Sequence, residues 1–174
     1  MLVTILDYVG VNGPLILFIS SVYLLFNKRN LLFYYVVGFF INIILNIALK
    51  GIIKHPRPLD NEKLFNLAIT HNNKDIFRNG LPFDIFGMPS GHAQNVLFST
   101  VYIYLALKKI NVLLFYLVFA FITMFQRIYN NYHSINQVIV GDIIGALFAI
   151  FIFYLSQRKL KGIIREKPDD NGPI

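Results

Sequence analysis

The sequence predicts an all-α fold, a polytopic membrane helix bundle, from three observations. Hydrophobic residues make up 56% of the 174 residues and charged residues only 14%, with a mean hydropathy of +0.57. That is too apolar for an ordinary soluble domain of this size. The apolar residues are gathered into separate runs, most of them long enough to span a bilayer. The net charge of +7 comes from short basic clusters between those runs. Such clusters set membrane topology; a nucleic-acid binder would carry a basic stripe. About five transmembrane helices are expected, preceded by an N-terminal interfacial or short helix, in a single domain over residues 1–174 with a flexible tail at about 165–174. The chain has no cysteine, which excludes disulfides, thiolate metal sites and cysteine nucleophiles.

Met1 to Asn12 is apolar with one acid, Asp7, and reads as the interfacial helix. Gly13-Pro14 opens the first span, which runs to Phe26 and is closed by Lys28-Arg29-Asn30. The second span runs from Leu31 to about Leu49. It carries Asn42 and Asn46 four residues apart, hence on one face, which should turn toward other helices. Lys50 ends it. The prolines of Lys54-His55-Pro56-Arg57-Pro58 stop a regular helix. A long polar loop from Leu59 to Phe86 has the length of a functional lid. Pro89-Ser90 then marks a helix start, and the third span runs from about Gly91 to Leu107. Val112 to Phe125 is the fourth span and about Ile135 to Leu155 the fifth.

Folding these spans up and down sorts the polar residues. Lys28-Arg29, Lys108-Lys109 and Arg158-Lys159-Lys161 fall on one face, the cytoplasmic one by their short basic loops. Lys50, Arg57, Ser90-Gly91-His92, Arg127 and His133 fall on the other. A helix N-terminus has backbone N–H groups with no partner inside the helix and favours an anion, often phosphate. Ser90, Gly91 and His92 form such a first turn. Arg57, held between two prolines, suits a fixed bidentate phosphate contact. Lys50 and Arg127, each taken alone, read equally as cations snorkelling from helix ends.

Phosphoryl transfer is catalysed mostly by positioning and charge stabilisation. Two arginines, a lysine and a helix N-terminus can supply this, and no His, Asp or Glu cluster has metal-ligand spacing. No metal and no cofactor is therefore expected. All four histidines fall on the site face. His55 and His71 read as solvated loop residues; His92 and His133 stand at helix starts. One histidine can form a covalent intermediate, and a second can protonate the leaving oxygen and then activate water.

The pattern Lys50-x6-Arg57-Pro58, Pro89-Ser90-Gly91-His92 and Arg127-x5-His133 resembles the type 2 phosphatidic acid phosphatase superfamily over Lys50 to about Gly145. The resemblance implies that Lys50, Arg57 and Arg127 bind phosphate with Ser90 and the Gly91 backbone. It implies that His133 is the nucleophile, forming a phosphohistidine, and His92 the general acid. Gln126 stands where serine often precedes the arginine, and Gln137 where an aspartate usually orients the nucleophile. Gln137, one turn after His133, can still accept the imidazole N–H. Asp142 lies about 140° around the helix from Gln137 and does not replace it; it reads as a buried structural partner. The family core has six helices, and here the N-terminal segment stands in for the first.

Gly87-Met88-Pro89-Ser90-Gly91-His92-Ala93-Gln94 and, with its glutamine, Arg127-Ile128-Tyr129-x2-Tyr132-His133-x3-Gln137-Val138 resemble the dolichyldiphosphatase branch. This implies a membrane lipid phosphatase acting on a polyprenyl diphosphate, with lipid substrate and membrane lipids as partners and no nucleic acid. Its active site would lie on the non-cytoplasmic face, toward the endoplasmic reticulum lumen or cell exterior. A phosphatidate or phosphatidylglycerophosphate phosphatase, and a non-catalytic scaffold or transporter, are the alternatives.

Overall fold

A computed structural model describes residues 2–58, 77–78, 81–82 and 85–158 of the chain. Five helices are described: α1 (Leu2–Leu25), α2 (Arg29–Ile53), α3 (Gly91–Leu107), α4 (Ile110–Tyr129) and α5 (Ile135–Gln157). Between α2 and α3 lies a two-residue antiparallel pair, β1 (Phe77–Arg78) and β2 (Leu81–Pro82). α1 from Leu6, α2, α4 and α5 are long and apolar enough to cross a membrane. The all-α polytopic bundle stands. The Leu59 to Phe86 loop lies largely, and His71 and the 165–174 tail entirely, outside the described residues.

The seventeen-residue α3 is the central helix, and all four others pack against it. Ala93, Gln94, Val96, Phe98, Ser99, Thr100, Tyr102 and Ile103 are buried, on more than one side of the helix. α5 runs closest to it. A Cβ on Gly141 would lie 2.6 Å from the Ser90 carbonyl oxygen, and one on Gly145 would overlap the Gln94 carbonyl. Glycine at both places lets the two backbones touch. The outer surface is apolar: Phe33, Val37 and Ile44 on α2, Leu114 and Phe121 on α4, and Ile143 and Leu147 on α5 are exposed. A bilayer is the solvent that suits such a surface.

In lipid, burying a leucine against another leucine gains little, so packing and interhelical hydrogen bonds must hold the helices together. Tyr35 Oη meets Ser99 Oγ at 2.8 Å, and Ser21 Oγ meets Tyr116 Oη at 2.9 Å. A ladder of amides joins α2 to α3. Gln94 donates to Asn42 Oδ1 at 2.8 Å, Asn46 donates to Gln94 Oε1 at 2.8 Å, and Asn42 donates to Asn95 at 2.7 Å. Each such bond contributes about 0.6 kcal/mol on average.

One expectation is corrected. The N-terminal segment is not a separate interfacial or short helix; α1 runs unbroken from Leu2 through Pro14 to Leu25. Pro14 removes one donor, that for the Gly10 carbonyl. Ending the helix there would leave up to four N–H and four C=O groups without helical partners, a larger cost where water is scarce. α4 likewise runs past Phe125 to Tyr129, and so carries Arg127 in its last turn.

Candidate active site

Three chain segments meet beyond the ends of α2, α4 and the N-termini of α3 and α5. On α2, Asn42, Asn46 and Lys50 are stacked at four-residue spacing on the buried face. α2 ends at Lys54, whose left-handed backbone (φ 50°) turns the chain. His55-Pro56-Arg57 then lies over the start of α3, with the Gly87 N–H donating to the His55 carbonyl at 2.7 Å and Pro56 bridged to Phe86.

α3 begins after Ser90, whose N–H donates to the Gln137 carbonyl at 3.0 Å. Ser90 Oγ is buried and has no hydrogen-bond partner among the described residues. Gly91 sits against Asn46: a Cβ there would be 3.0 Å from Asn46 Oδ1. His92 Nε2 lies 3.1 Å from the Val11 carbonyl oxygen of α1. A carbonyl only accepts, so Nε2 carries the proton in this contact.

At the end of α4, Arg127 is buried, and its guanidinium lies 5.0 Å from the Tyr132 ring centroid. The N–H groups of Tyr132 and His133 both donate back to the Arg127 carbonyl, at 3.0 and 3.1 Å. Asn131, at φ 54°, allows this tight turn. Ser134 then caps α5 in a reciprocal box with Gln137, the serine-to-glutamine spacing that opens many helices.

The nucleophile candidate, His133, is 3% exposed. Its Nδ1 is 3.2 Å from Gln137 Oε1, and its Nε2 is 3.5 Å from Arg57 Nη1. The orientation of the Gln137 amide follows from its partners. On one side are the Pro56 carbonyl at 2.6 Å and His55 Nδ1 at 2.9 Å; the carbonyl can only accept, so the NH2 group faces it. On the other side the Ser134 N–H, at 3.2 Å, can only donate, so the amide oxygen lies there with His133 Nδ1. His133 Nδ1 therefore carries the proton. The Nε2 lone pair is left beside the Arg57 guanidinium. Burial first, then the Arg57 and Lys50 cations, pushes the His133 imidazole down to about 3. It is neutral across the physiological range. The hydrogen bond to Gln137 favours imidazolium and so opposes this shift, but a neutral amide does so less than a carboxylate would.

The expected residues thus converge: Arg57, His133 and Gln137 touch directly, Ser90 is bonded to Gln137, and Lys50 and His92 bear electrostatically on His133. Arg127 joins through the Tyr132–His133 turn. Two partners were hidden in the sequence. His55, read as a solvated loop residue, is exposed but contacts Gln137. Asp7 accepts from Gln126, which accepts from Arg127. Asp142 was expected to have a structural partner, but its buried Oδ1 has none among the described residues. Among the described residues no three His, Asp or Glu side chains are grouped to hold a metal.

Such an arrangement, a bundle of membrane helices with cations and two histidines gathered at one end, is the kind of membrane site whose chemistry suits a phosphate group. Residues 31–161 match the PAP2 superfamily, three quarters of the sequence, and the chain belongs to that superfamily. It is 35% identical over 139 residues to the dolichyldiphosphatase of Saccharomyces cerevisiae, covering 74% of this chain and 51% of that one. It is 28% identical over 165 residues to dolichyldiphosphatase 1 of Homo sapiens, and 28% over 165 residues to that of Plecturocebus moloch, in each case covering 85% of this chain and 63% of the relative. The chain therefore spans about half to two thirds of the length of these relatives. No solved structure matches it.

Proposed function

We propose that the chain is an integral membrane phosphatase that hydrolyses a polyprenyl diphosphate to the monophosphate. His133 Nε2 attacks the terminal phosphorus, and the bond from that phosphorus to the bridging oxygen breaks. His92, as imidazolium with Nε2–H held by the Val11 carbonyl, gives its Nδ1 proton to the departing monophosphate oxygen and becomes neutral. Water then attacks the phosphohistidine, His92 takes the water proton, and inorganic phosphate leaves. Lys50, Arg57, Arg127, Ser90 and the Gly91 N–H hold the phosphoryl oxygens, on which charge is spread in the transition state. Gln137 is a positioning residue that fixes the His133 tautomer. The site belongs to one domain and faces the non-cytoplasmic side of the membrane.

The observation that carries this reading is the unprotonated Nε2 of a buried, neutral His133 set beside Arg57. An attacking lone pair lies next to a cation that can bind the group under attack. The polyprenyl diphosphate is favoured by the names of the relatives and by Gln137. Purified protein in detergent should release phosphate from a polyprenyl diphosphate faster than from phosphatidate or glucose-6-phosphate. It should do so in excess chelator and be inhibited by orthovanadate. A preference for phosphatidate would replace the substrate, and turnover that required added magnesium would contradict the site.

A further inference from the structure

The PAP2 match starts at residue 31, so α1 lies outside it. Yet α1 reaches two of the proposed functional side chains. Its Val11 carbonyl meets His92. Its Asp7 Oδ1 accepts from Gln126 Nε2 at 3.2 Å and from Asn130 Nδ2 at 2.8 Å, and Gln126 Oε1 accepts from Arg127 Nε at 2.7 Å.

We propose that Asp7 is a positioning residue for the phosphate-binding Arg127, acting through Gln126; this rests on the phosphatase reading. The bonding is ordered by chemistry. Arg127 Nε–H can only donate and therefore takes the amide oxygen of Gln126. The Asp7 carboxylate only accepts and takes the amide NH2. The Gln126 amide is thus fixed from both sides, and with it the angle at which the guanidinium leaves α4. A shorter serine at position 126 could not bridge these two groups. That accounts for the departure from the usual motif: glutamine stands before the arginine because an acid on α1 is there to hold its far end.

The approach of α1 is itself encoded. Asp7, Gly10 and Gly13 follow at three-residue spacing along one face. A Cβ on Gly10 would overlap the Gln126 side chain, and one on Gly13 would overlap Thr123 Oγ1. Small residues let membrane helices come this close. Gly10, Gly13, Leu17, Ser21 and Leu25 continue as the buried stripe of α1, so Asp7 is delivered to the site end by the packing of the whole helix.

The test uses the full chain in detergent, with orthovanadate binding followed by titration calorimetry beside steady-state phosphate release. Asp7→Leu removes the acceptor and is expected to weaken vanadate about tenfold, raising KM more than it lowers kcat. Gln126→Glu sets a carboxylate against Asp7 and should weaken vanadate similarly. Adding Asp7→Asn to Gln126→Glu restores a donor opposite that carboxylate, and most of the affinity should return. A role confined to holding α1 on α4 would lower thermal stability without this reciprocal rescue of anion affinity. Wild-type vanadate affinity in both single variants, or no rescue in the double variant, would overturn the proposal. Wild-type protein that binds vanadate but hydrolyses no lipid phosphate would defeat the phosphatase reading and leave the assignment of Asp7 intact. Wild-type protein that binds no vanadate would defeat both.

Discussion

Gln137 is the residue on which the site turns. All of its hydrogen-bonding capacity is used: two donors go to Pro56 and His55, and its oxygen accepts from His133 and Ser134. An acid cannot fill both halves of this environment. Gln137→Glu keeps the length but sets an oxygen against the Pro56 carbonyl, now 2.6 Å from Nε2. A buried acceptor facing an acceptor is costly, and we expect kcat to fall on the order of 10²-fold as the ring loses its orientation. Full activity in Gln137→Glu would mean that the NH2 contacts do not matter. The His133 imidazole, held down to about 3 by burial and then by Arg57 and Lys50, sets the pH behaviour. A cation disfavours the imidazolium, so removing one raises the pKa. Since the attacking form is neutral, Arg57→Gln should move the acid limb of the kcat/KM profile upward, besides weakening phosphate binding. An unmoved acid limb would place the guanidinium away from His133. His92→Ala should be most damaging for poor leaving groups and partly spare an aryl phosphate. Equal loss on both would remove His92 from the role of acid.

At the scale of the element, the spans and the motif order were legible because hydropathy and proline report directly on helices that cross lipid. α3 and α5 begin at Gly91 and Ile135, where the Pro89-Ser90 signal and the start of the last apolar run put them. The continuity of α1 was not legible. Pro14 usually ends a helix in water, where freed backbone groups are solvated; in lipid the balance favours one lost bond over a broken helix. Nor could the sequence reveal His55 or Asp7 as partners. Each is an exposed or half-buried polar residue whose meaning comes only from a contact 82 or 119 residues away. Gly10 and Gly13 carry a matching prediction. Gly13→Leu would drive a side chain into Thr123 and push α1 off α4, so orthovanadate affinity should fall with stability. Wild-type affinity would mean that α1 need not sit tightly on α4.

The whole molecule places basic loops at one end and the proposed phosphate-binding residues at the other, with exposed apolar rows between. Because the chain has no cysteine, single cysteines at Asn30 and at Asn73, in the segment joining α2 to α3, can be probed with an impermeant thiol reagent. Labelling from opposite sides is expected, and labelling of both from the same side would contradict the arrangement. The chemistry that this scaffold serves is best caught in the intermediate. A His92→Ala variant should form the phosphoenzyme from a diphosphate, whose leaving group is good, and hydrolyse it slowly for want of a base. Quenching it in alkali and mapping the acid-labile phosphate by mass spectrometry should locate the phosphate on Nε2 of His133, because Nδ1 is protonated and held by Gln137. Phosphate on Nδ1 would contradict the tautomer set by Gln137, and phosphate on another residue, or none on a protein that still turns over, would contradict His133 as the nucleophile.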